Sequence, residues 1–305
     1  IMFLYFQSFF YPITIFRVDI DKHSMEKVYQ FDVDDFDPDD FEMHFDFYKS
    51  KDGTKIPIYV MHKKGIEPDG SNPTILTGYG GFGLGMVPVF NIMFLPWLKR
   101  GGVFARAGIR GGDEYGKKWH EAGMKENKQN VFDDFIWAVM YLLSAEYARS
   151  DTLAIYGGSN GGLLVGTALT QAPQLFRAVI CTVPLLDMLR YHKFGVAHIW
   201  TSEYGNPDKE EDFQYILKYS PYHQLHDNAK YPAVLFRTAE FDGRVHPMHA
   251  MKMAAKMQSS ASTDRPVLLF VEPKAGHGAG MPLYKAIQYS TDIIVFAAQQ
   301  LKKKL

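Results

Sequence analysis

Residues 152–169 read Thr-Leu-Ala-Ile-Tyr-Gly-Gly-Ser-Asn-Gly-Gly-Leu-Leu-Val-Gly-Thr-Ala-Leu, and this stretch decides the fold of the chain. Its apolar start predicts a buried strand, and the apolar run after Gly162 predicts a helix. The pattern Gly-x-Ser-x-Gly, centred on Ser159, lies between them and is typical of a sharp strand-to-helix turn that holds its serine in a strained conformation. The glycines fit such a turn, because side chains would clash where the strand and the helix approach. A glycine-rich loop whose serine only caps the helix fits the pentapeptide as well.

The composition of the 305-residue chain excludes several classes of protein. The chain is 47% hydrophobic and 22% charged with a formal net charge of −1, which is typical of a folded globular protein. Lysine and arginine are dispersed, so the sequence predicts neither a nucleic-acid partner nor a membrane partner. The single cysteine, Cys181, excludes an internal disulfide and favours a reducing compartment. We therefore expect the protein in the cytoplasm. The apolar residues 1–6 are too few to span a membrane and lack the basic start of a signal peptide.

The first 40 residues have the texture of a small piece of β-sheet. Residues 13–18 and 27–31 predict short strands separated by a polar turn. Such a piece buries too little apolar surface to be stable alone. The acidic run at 34–40 favours a solvated linker over a metal site. The sequence therefore predicts residues 1–40 as a β remnant with a linker and residues 41–305 as the main domain.

Residues 41–48 alternate between apolar and polar side chains, which predicts a half-buried strand. The predicted buried face consists of Phe41, Met43, Phe45 and Phe47. Asp52-Gly53 is a hairpin signal, and residues 55–62 are predicted to return as the partner strand.

The remainder of the chain alternates between strands and helices. The predicted strands are residues 73–77, 102–109, 152–156, 178–183, 233–238 and 267–271. Helices are predicted at 130–148, from 163 onwards, irregularly over 186–217, at 248–257 and at 283–301. This alternation predicts an α/β fold with a mostly parallel sheet, helices on both faces and the opening hairpin as antiparallel strands at one edge.

Two later loops supply the residues that a serine nucleophile needs. Asp242 follows the strand 233–238, and His277 follows the strand 267–271, so both lie where open α/β sheets place their sites. The order serine, aspartate, histidine is that of α/β-hydrolases. Ser159 is thus predicted as nucleophile, His277 as its base and Asp242 as the orienting carboxylate.

Alternatives to the two partners stay open from the residues alone. Glu240 competes with Asp242 for the carboxylate role, whereas Asp187 lies on the wrong loop for this order. His277 also fits a structural loop histidine, although its flanking glycines favour a free-standing ring.

Acyl transfer also requires hydrogen-bond donors for the developing oxyanion. The backbone N–H of Asn160 is one candidate, and the hydroxyl of Tyr79 in Gly78-Tyr79-Gly80-Gly81 is the second, unless Tyr79 is only a packing aromatic. Two arginines differ in their expected roles. Arg110 is predicted to form a structural ion pair with Asp113 or Glu114, whereas Arg244 is predicted beside the site, where it would hold a substrate carbonyl or carboxylate.

Many short segments of residues 41–305 resemble the prolyl oligopeptidase family. They are Gly78-Tyr79-Gly80-Gly81-Phe82, Ile109-Arg110-Gly111-Gly112, Glu114-Tyr115-Gly116, Asn127-Lys128-Gln129-Asn130, Phe132-Asp133-Asp134-Phe135, Gly157-Gly158-Ser159-Asn160-Gly161-Gly162, Tyr219-Ser220-Pro221-Tyr222 and Lys274-Ala275-Gly276-His277-Gly278-Ala279-Gly280. Together they are far more specific than the serine motif alone.

The resemblance implies an α/β-hydrolase that cleaves short peptides after proline with Ser159, Asp242 and His277, without metal or cofactor. Trp200, which by itself also fits a core tryptophan, matches the residue that stacks on the substrate proline ring. The other matches to the apolar pocket are Phe82, Asn160, Leu185, Tyr204 and Val245. Arg244 matches the residue that holds a substrate carbonyl. A flat aromatic wall suits a proline ring, which has no N–H to satisfy.

The chain departs from the family pattern in two respects. The family carries an N-terminal β-propeller that covers the site, and only residues 1–40 resemble the end of one, as the tail of a last blade. We therefore expect a truncated chain, poorly soluble or weakly active because the surface that faces the propeller is uncovered. Gly243 and His246 replace an acidic and an aliphatic residue that relatives often carry, and His246 is expected to alter the pocket rim.

Other functions remain as alternatives to cleavage after proline. Cleavage after basic residues would need acidic residues in the pocket, where Leu185, Trp200 and Val245 are apolar. The flanking motifs fit an esterase or an acylaminoacyl peptidase less well. The remaining alternative is an inactive or weakly active hydrolase-fold scaffold.

Overall fold

The computed structural model of the protein describes residues 1–260, 264–278 and 281–302. The last residues of the predicted 41–305 domain and of the motif at 274–280 fall outside these ranges. Within the described residues the chain forms two separate sheets, one of three strands and one of eight.

The strands are β1 (Met2–Phe6), β2 (Thr14–Asp19), β3 (Ser24–Gln30), β4 (Phe41–Lys49), β5 (Lys55–Lys63), β6 (Thr74–Thr77), β7 (Val103–Ala107), β8 (Leu153–Gly158), β9 (Ala178–Thr182), β10 (Ala233–Ala239) and β11 (Val267–Glu272). The larger sheet has the order β11-β10-β9-β8-β6-β7-β5-β4. Every neighbouring pair from β11 to β7 is parallel, and the pairs β7–β5 and β5–β4 at the other edge are antiparallel. The α/β-hydrolase fold predicted from the sequence is confirmed.

The helices are α1 (Leu95–Lys99), α2 (Lys117–Glu121), α3 (Gln129–Ser144), α4 (Asn160–Gln171), α5 (Thr201–Tyr204), α6 (Glu210–Tyr219), α7 (Met248–Ser260) and α8 (Leu283–Gln300). Short 3₁₀ turns are formed by Pro38–Asp40, Ile92–Phe94, Lys125–Asn127, Pro173–Leu175, Tyr191–Lys193 and Ala197–Trp200. None of the helices in the described part of the chain combines the length and apolarity that a membrane span requires.

Two buried apolar clusters cover the two faces of the large sheet. Along β8, Leu153 and Ile155 belong to one cluster and Ala154 to the other, as expected for side chains that alternate between faces. Helices α3, α4 and α7 contribute to the first cluster, and α1 and α8 to the second. Because β8, β9, β10 and β11 are parallel, the loops that follow them meet at one edge, and this edge carries Ser159, Asp242 and His277.

The first 30 residues form the antiparallel sheet β1-β2-β3, in which β1 and β3 are exposed along their whole length. Aromatic contacts join this segment and the linker after it to the larger domain. The ring of Phe10 stacks on Phe41 at 5.4 Å, and Phe36 packs between Phe41 and Phe90. The enrichment of residues 1–6 in tyrosine and phenylalanine favours a strand, and β1 forms there.

The predicted buried face of β4 is wrong except at its first residue. Phe41 is buried by Phe10 and Phe36, but Met43, Phe45 and Phe47 are 41%, 50% and 43% exposed. The physical reason is that β4 is the edge strand, so among the described residues helices cover only part of either face. Tyr48, on the opposite face, is buried, and its hydroxyl donates to the carbonyl oxygen of Asp134 in α3.

The ion pair of Arg110 is structural, as expected, but its partners are not Asp113 and Glu114. The guanidinium donates to both carboxylate oxygens of the fully buried Asp134, at 2.9 and 2.6 Å, and to Asp52 at 2.6 Å. Asp134 also accepts the backbone N–H of Arg110. These contacts tie the loop after β7 to α3 and to the β4–β5 hairpin, a juxtaposition that local sequence spacing does not reveal.

Replacing Arg110 with Met should lower the free energy of unfolding by about 3–5 kcal/mol, because the buried carboxylate of Asp134 then lacks its cation. Urea unfolding followed by tryptophan fluorescence measures the change. Arg149→Met is the matched control: the side chain of Arg149 is 58% exposed, and its loss should change stability by no more than about 0.5 kcal/mol. Equal stability of Arg110→Met and the unmodified chain would show that the ion pair does not hold these elements.

Candidate active site

The turn between β8 and α4 presents Ser159 in a strained conformation. Ser159 has φ 58° and ψ −120°, an unfavourable backbone region for a residue with a side chain. Its N–H donates to the carbonyl oxygen of Thr182 at 2.9 Å, and its carbonyl oxygen accepts from Gly162 at the start of α4. A Cβ atom on Gly157 would collide with the backbone of Gly161. Glycine is therefore required for β8 and α4 to approach this closely.

Ser159, His277 and Asp242 form one hydrogen-bonded row. Nε2 of His277 lies 3.1 Å from Oγ of Ser159, and Nδ1 of His277 lies 2.6 Å from Oδ2 of Asp242. The carboxylate of Asp242 has no solvent exposure, whereas the His277 side chain is 16% exposed. A partly exposed serine–imidazole pair backed by a buried carboxylate is suited to nucleophilic catalysis.

The orientation of Asp242 is fixed from its other oxygen. Oδ1 accepts the backbone N–H groups of Arg244 at 3.0 Å and Val245 at 2.8 Å, which leaves Oδ2 for the histidine. Glu240, the alternative from the sequence, instead accepts the backbone N–H of Lys274 at 2.9 Å. The structure therefore places Asp242, and not Glu240, against His277.

Tyr79 and Asn160 lie together beside Ser159. The side-chain amide of Asn160 donates to the carbonyl oxygen of Tyr79 at 2.6 Å, which fixes the Tyr79 loop to the start of α4. As the first residue of α4, Asn160 has a backbone N–H without an intrahelical acceptor. Burial raises the pKa of Tyr79, while a hydrogen bond with the Ser159 side chain and the charge of Arg244 act in the opposite direction. The Tyr79 hydroxyl is thus protonated at neutral pH and near both Ser159 and Arg244.

The aromatic residues predicted for the pocket come together. The ring of Phe82 meets Trp200 edge-on at 6.2 Å and Tyr204 at 5.6 Å. The Tyr204 hydroxyl donates to Oδ1 of Asn160 at 2.8 Å, so the pocket wall is joined to the serine turn. Leu185 and Val245 belong to the buried cluster against which Phe82 and Trp200 pack.

The residues after Asp242 form the rim of the site. Arg244 is exposed. His246, which departs from the family pattern, packs its ring on Phe194 at 5.2 Å and accepts the N–H of Met248. The exposed His246 ring therefore packs against Phe194, which is not one of the residues predicted for the pocket.

A buried ionic cluster that the sequence reading missed supports two walls of this pocket. Lys128 is 1% exposed, and its ammonium donates to the carbonyl oxygen of Gly80 at 2.8 Å and to Glu203 at 3.3 Å. Glu203, in α5, also accepts the N–H of Phe82 at 3.1 Å and contacts Nε2 of His120 at 2.7 Å. Burial lowers the pKa of Lys128, an effect that the charge of Glu203 opposes. The cluster therefore joins the Tyr79–Phe82 loop to the helix of Tyr204.

Only a weak signal in the sequence could have indicated this cluster. Lys128 lies in the family-like segment of residues 127–130, and Glu203 precedes the pocket residue Tyr204. The two residues are 75 positions apart in the sequence. A lysine on the surface of a helix is the ordinary expectation. The pairing depends on how the turn before α3 packs on α5, which local patterns do not specify.

A second serine, histidine and aspartate lie together, with Ser220 and Asp187 fully buried and the His223 side chain 19% exposed. Oγ of Ser220 is 2.8 Å from Nδ1 of His223, and Nε2 of His223 is 3.8 Å from Oδ1 of Asp187. Ser220 has no solvent exposure, and its Oγ accepts the N–H of Met188. Asp187 pairs with Lys252 and Arg190. This group stabilises the loop after β9, and because Ser220 has no solvent exposure its hydroxyl is closed to a substrate.

Comparison with protein-family models identifies the chain's relatives. Residues 88–304 match the model of the prolyl oligopeptidase family. The chain is 42% identical over 297 residues to a prolyl endopeptidase of Elizabethkingia miricola, covering 97% of this chain and 42% of that protein. It is 39% identical over 310 residues to a prolyl endopeptidase of Dictyostelium discoideum, covering 100% of this chain and 41% of the relative. The chain spans about two fifths of the length of these curated relatives.

Solved structures agree with the sequence relatives. A structure from a study of two prolyl endopeptidases and their inter-domain dynamics matches with a TM-score of 0.96 at 47% identity, over 98% of this chain and 44% of that one. Prolyl oligopeptidase B of Galerina marginata, bound to a 35mer hydrolysis and macrocyclization substrate, matches with a TM-score of 0.95 at 38% identity, over 99% and 43% of the two chains.

Two serines within residues 1–260, 264–278 and 281–302 contact a histidine, Ser159 and Ser220, and we expect a fluorophosphonate to label Ser159 alone. Mass spectrometry of the intact chain should show one adduct, because only Ser159 combines an acceptor imidazole with solvent access. Ser159→Ala should abolish labelling, whereas the matched variant Ser220→Ala should be labelled at a rate within about twofold of the unmodified chain, since Ser220 is enclosed. An adduct that persists in Ser159→Ala would contradict this assignment.

Replacing Lys128 with Met should destabilise the fold by about 3–5 kcal/mol, because Glu203 is then a buried charge without its cation. At a temperature where this variant stays folded by circular dichroism, we also expect slower phosphonate labelling of Ser159, since the Tyr79 loop loses its anchor at Gly80. The double variant Lys128→Met/Glu203→Gln should recover part of the stability. Lys117→Met, at a position 86% exposed, is the control, and equal effects of the two methionine substitutions would refute the anchoring role.

Proposed function

Because the chain belongs to the prolyl oligopeptidase family, we propose that it is a serine endopeptidase that hydrolyses short peptides on the carboxyl side of proline residues. The observation that carries the proposal is the row of Asp242, His277 and Ser159, with atoms 2.6 and 3.1 Å apart. The names of its relatives, prolyl endopeptidases, support the preference for proline.

In the proposed reaction, Oγ of Ser159 attacks the carbonyl carbon of the peptide bond after proline. Nε2 of His277 accepts the hydroxyl proton as the new C–O bond forms, and the buried carboxylate of Asp242 stabilises the resulting imidazolium. His277 then gives this proton to the leaving amine as the C–N bond breaks. A water molecule, deprotonated by the same imidazole, attacks the acyl ester and releases the carboxylic acid and free Ser159.

The oxyanion formed in each half of the reaction is proposed to bind two donors. The backbone N–H of Asn160 is the first, and the Tyr79 hydroxyl is the second. A tyrosine can serve because burial raises its pKa, so the proton stays on the phenol. A missing oxyanion donor typically costs about 10²–10³ in kcat.

The proline side chain is proposed to enter the pocket formed by Phe82, Trp200 and Tyr204, with Leu185, Asn160 and Val245 around it. The ring stacks on Trp200, and no buried donor is left unsatisfied because proline lacks an N–H. Arg244, which is exposed and near the Tyr79 hydroxyl, is proposed to hold a carbonyl of the substrate backbone.

The organisation of the longer relatives extends the proposal to partners. We propose that residues 1–40 form part of a β-propeller blade with its linker, that residues 41–305 form the peptidase domain, and that a propeller packs over the site. The exposed strand β1 and the exposed apolar residues of β3 support such a contact. The proposed compartment is the cytoplasm, since Cys181 is buried and free.

Two alternatives are separable from this proposal. A peptidase with another residue preference would keep the same catalytic row but act on other peptides, and the apolar lining at Leu185, Trp200 and Val245 argues against basic residues. A hydrolase-fold scaffold would bind peptides without cleaving them, and the geometry of Ser159 with His277 argues against it.

Steady-state hydrolysis of a chromogenic Gly-Pro amide and of the corresponding Arg amide tests the proposed specificity. We expect kcat/KM for the proline substrate to be at least about 100-fold higher, because a guanidinium would be buried without a partner. Trp200→Ala should lower kcat/KM for the proline amide by about tenfold through loss of stacking. Trp137→Ala, at a position 40% exposed in α3, should leave it unchanged. A preference for the Arg amide would refute the assignment, and no turnover of either would favour the scaffold.

A further inference from the structure

Three side chains with metal-binding atoms lie on one face of the β4–β5 hairpin. Glu42 and His44 are two residues apart in β4, so their side chains point to the same face. His62 in β5 is the direct cross-strand partner of Glu42. The antiparallel register thus brings together residues that are up to 20 positions apart in the sequence.

The distances between these side chains are short enough for one ion to reach all three. Oε1 of Glu42 lies 3.6 Å from Nδ1 of His62, and Oε2 lies 3.9 Å from Nε2 of His44. One ligand atom from each residue can be chosen so that all lie within 4.8 Å of one another. The two imidazole rings are nearly parallel, with centroids 5.1 Å apart.

Of the three side chains, His62 is held in place by its surroundings, whereas Glu42 and His44 can change their rotamers. The side chain of His62 is 3% exposed, and its Nδ1 lies 3.0 Å from the carbonyl oxygen of Lys63, a contact that orients the ring. Since that oxygen only accepts, Nδ1 carries the proton in this contact, and an ion bound through Nδ1 replaces that proton. The side chains of Glu42 and His44 are 36% and 49% exposed and are therefore free to rotate. In a tetrahedral zinc site with bonds of about 2.0–2.1 Å, the ligand atoms are about 3.4 Å apart. Closing the observed cluster onto an ion thus needs the ligand atoms to approach one another by up to about 1.4 Å, and the exposed side chains of Glu42 and His44 supply that movement.

We propose that Glu42, His44 and His62 bind one divalent transition-metal ion, with zinc as the ion that suits them best. Two imidazoles and one carboxylate match the preference of zinc, whereas magnesium and calcium prefer oxygen ligands alone. Water completes the coordination. The ion would cross-link β4, the edge strand of the sheet, to β5 and so stabilise the hairpin.

This site is separate from the proposed catalytic site. Ser159 follows β8, and β6, β7 and β5 lie between β8 and β4 in the sheet. Neighbouring strands are about 4.8 Å apart, so the two sites are on the order of 20 Å apart. Metal binding at the hairpin consequently requires no peptidase activity, and its test does not depend on the proposed function.

The test uses the 305-residue chain without an affinity tag, treated with chelator and then dialysed. Every sample carries His277→Ala so that His277 and Asp242 do not bind the ion together, whatever the reactivity of Ser159. Isothermal titration with zinc chloride should show one saturable site per chain, and zinc should raise the midpoint of thermal unfolding. Magnesium chloride at the same concentration should do neither. A chain that binds no zinc saturably, or is destabilised by it, would overturn the proposal.

Variants of exposed residues separate this site from adventitious binding to the other histidines of the chain. Glu42→Gln and His44→Ala should each weaken zinc binding by about tenfold or more, because each removes one of the three ligands. His198→Ala, which removes an exposed histidine outside the cluster, should leave the affinity unchanged. Both ligand variants change surface residues and are expected to fold, which circular dichroism checks. Unchanged affinity in His44→Ala would overturn the proposal.

Discussion

The arrangement of the site depends on the contact between the backbones of β8 and α4, where Gly157 faces Gly161 too closely for any side chain. This approach forces the chain through a sharp turn and places Ser159 at φ 58°, with its hydroxyl above the carboxyl edge of the sheet. The strain is maintained by burial of both elements: Leu153 and Ile155 in β8 and Leu163 and Leu164 in α4 share one apolar cluster. Parallel strands on the same side of the sheet then bring the loops of Asp242 and His277 to this serine.

Buried charge gives the site its second constraint. The loop that carries Tyr79 has no regular structure of its own, and it is held by polar contacts from three directions. Asn160 binds the Tyr79 carbonyl, Lys128 binds the Gly80 carbonyl and Glu203 binds the Phe82 N–H. Glu203 lies in the same short helix as Tyr204, so the proposed oxyanion donor Tyr79 and the apolar pocket are positioned by one ionic group. Buried ion pairs contribute little net stability but penalise any arrangement that leaves one charge alone, and this favours a single loop conformation.

Features that depend on local pattern were predictable, and those that depend on long-range pairing were not. The apolar runs, the glycines around Ser159 and the loop positions of Asp242 and His277 indicated the sheet, the turn and the order of the three residues. In contrast, the alternation in β4 predicts that Met43, Phe45 and Phe47 are buried, and they are exposed because an edge strand is only partly covered. Arg110 was paired with its neighbours in sequence instead of Asp134. Nothing in the spacing of Glu42, His44 and His62 indicated that the hairpin register would bring them together.

The central claim is that Ser159 forms the acyl intermediate in peptide cleavage. Rapid-quench reaction of the chain with a Gly-Pro nitrophenyl ester, followed by trypsin digestion and tandem mass spectrometry, tests this claim most directly. The account predicts a burst of about one nitrophenol per chain and an acyl mass located on Ser159 in the tryptic peptide of residues 150–177. A burst with the acyl group on another residue would contradict it. So would turnover with no covalent intermediate, both in the unmodified chain and in a His277 variant that reacts more slowly.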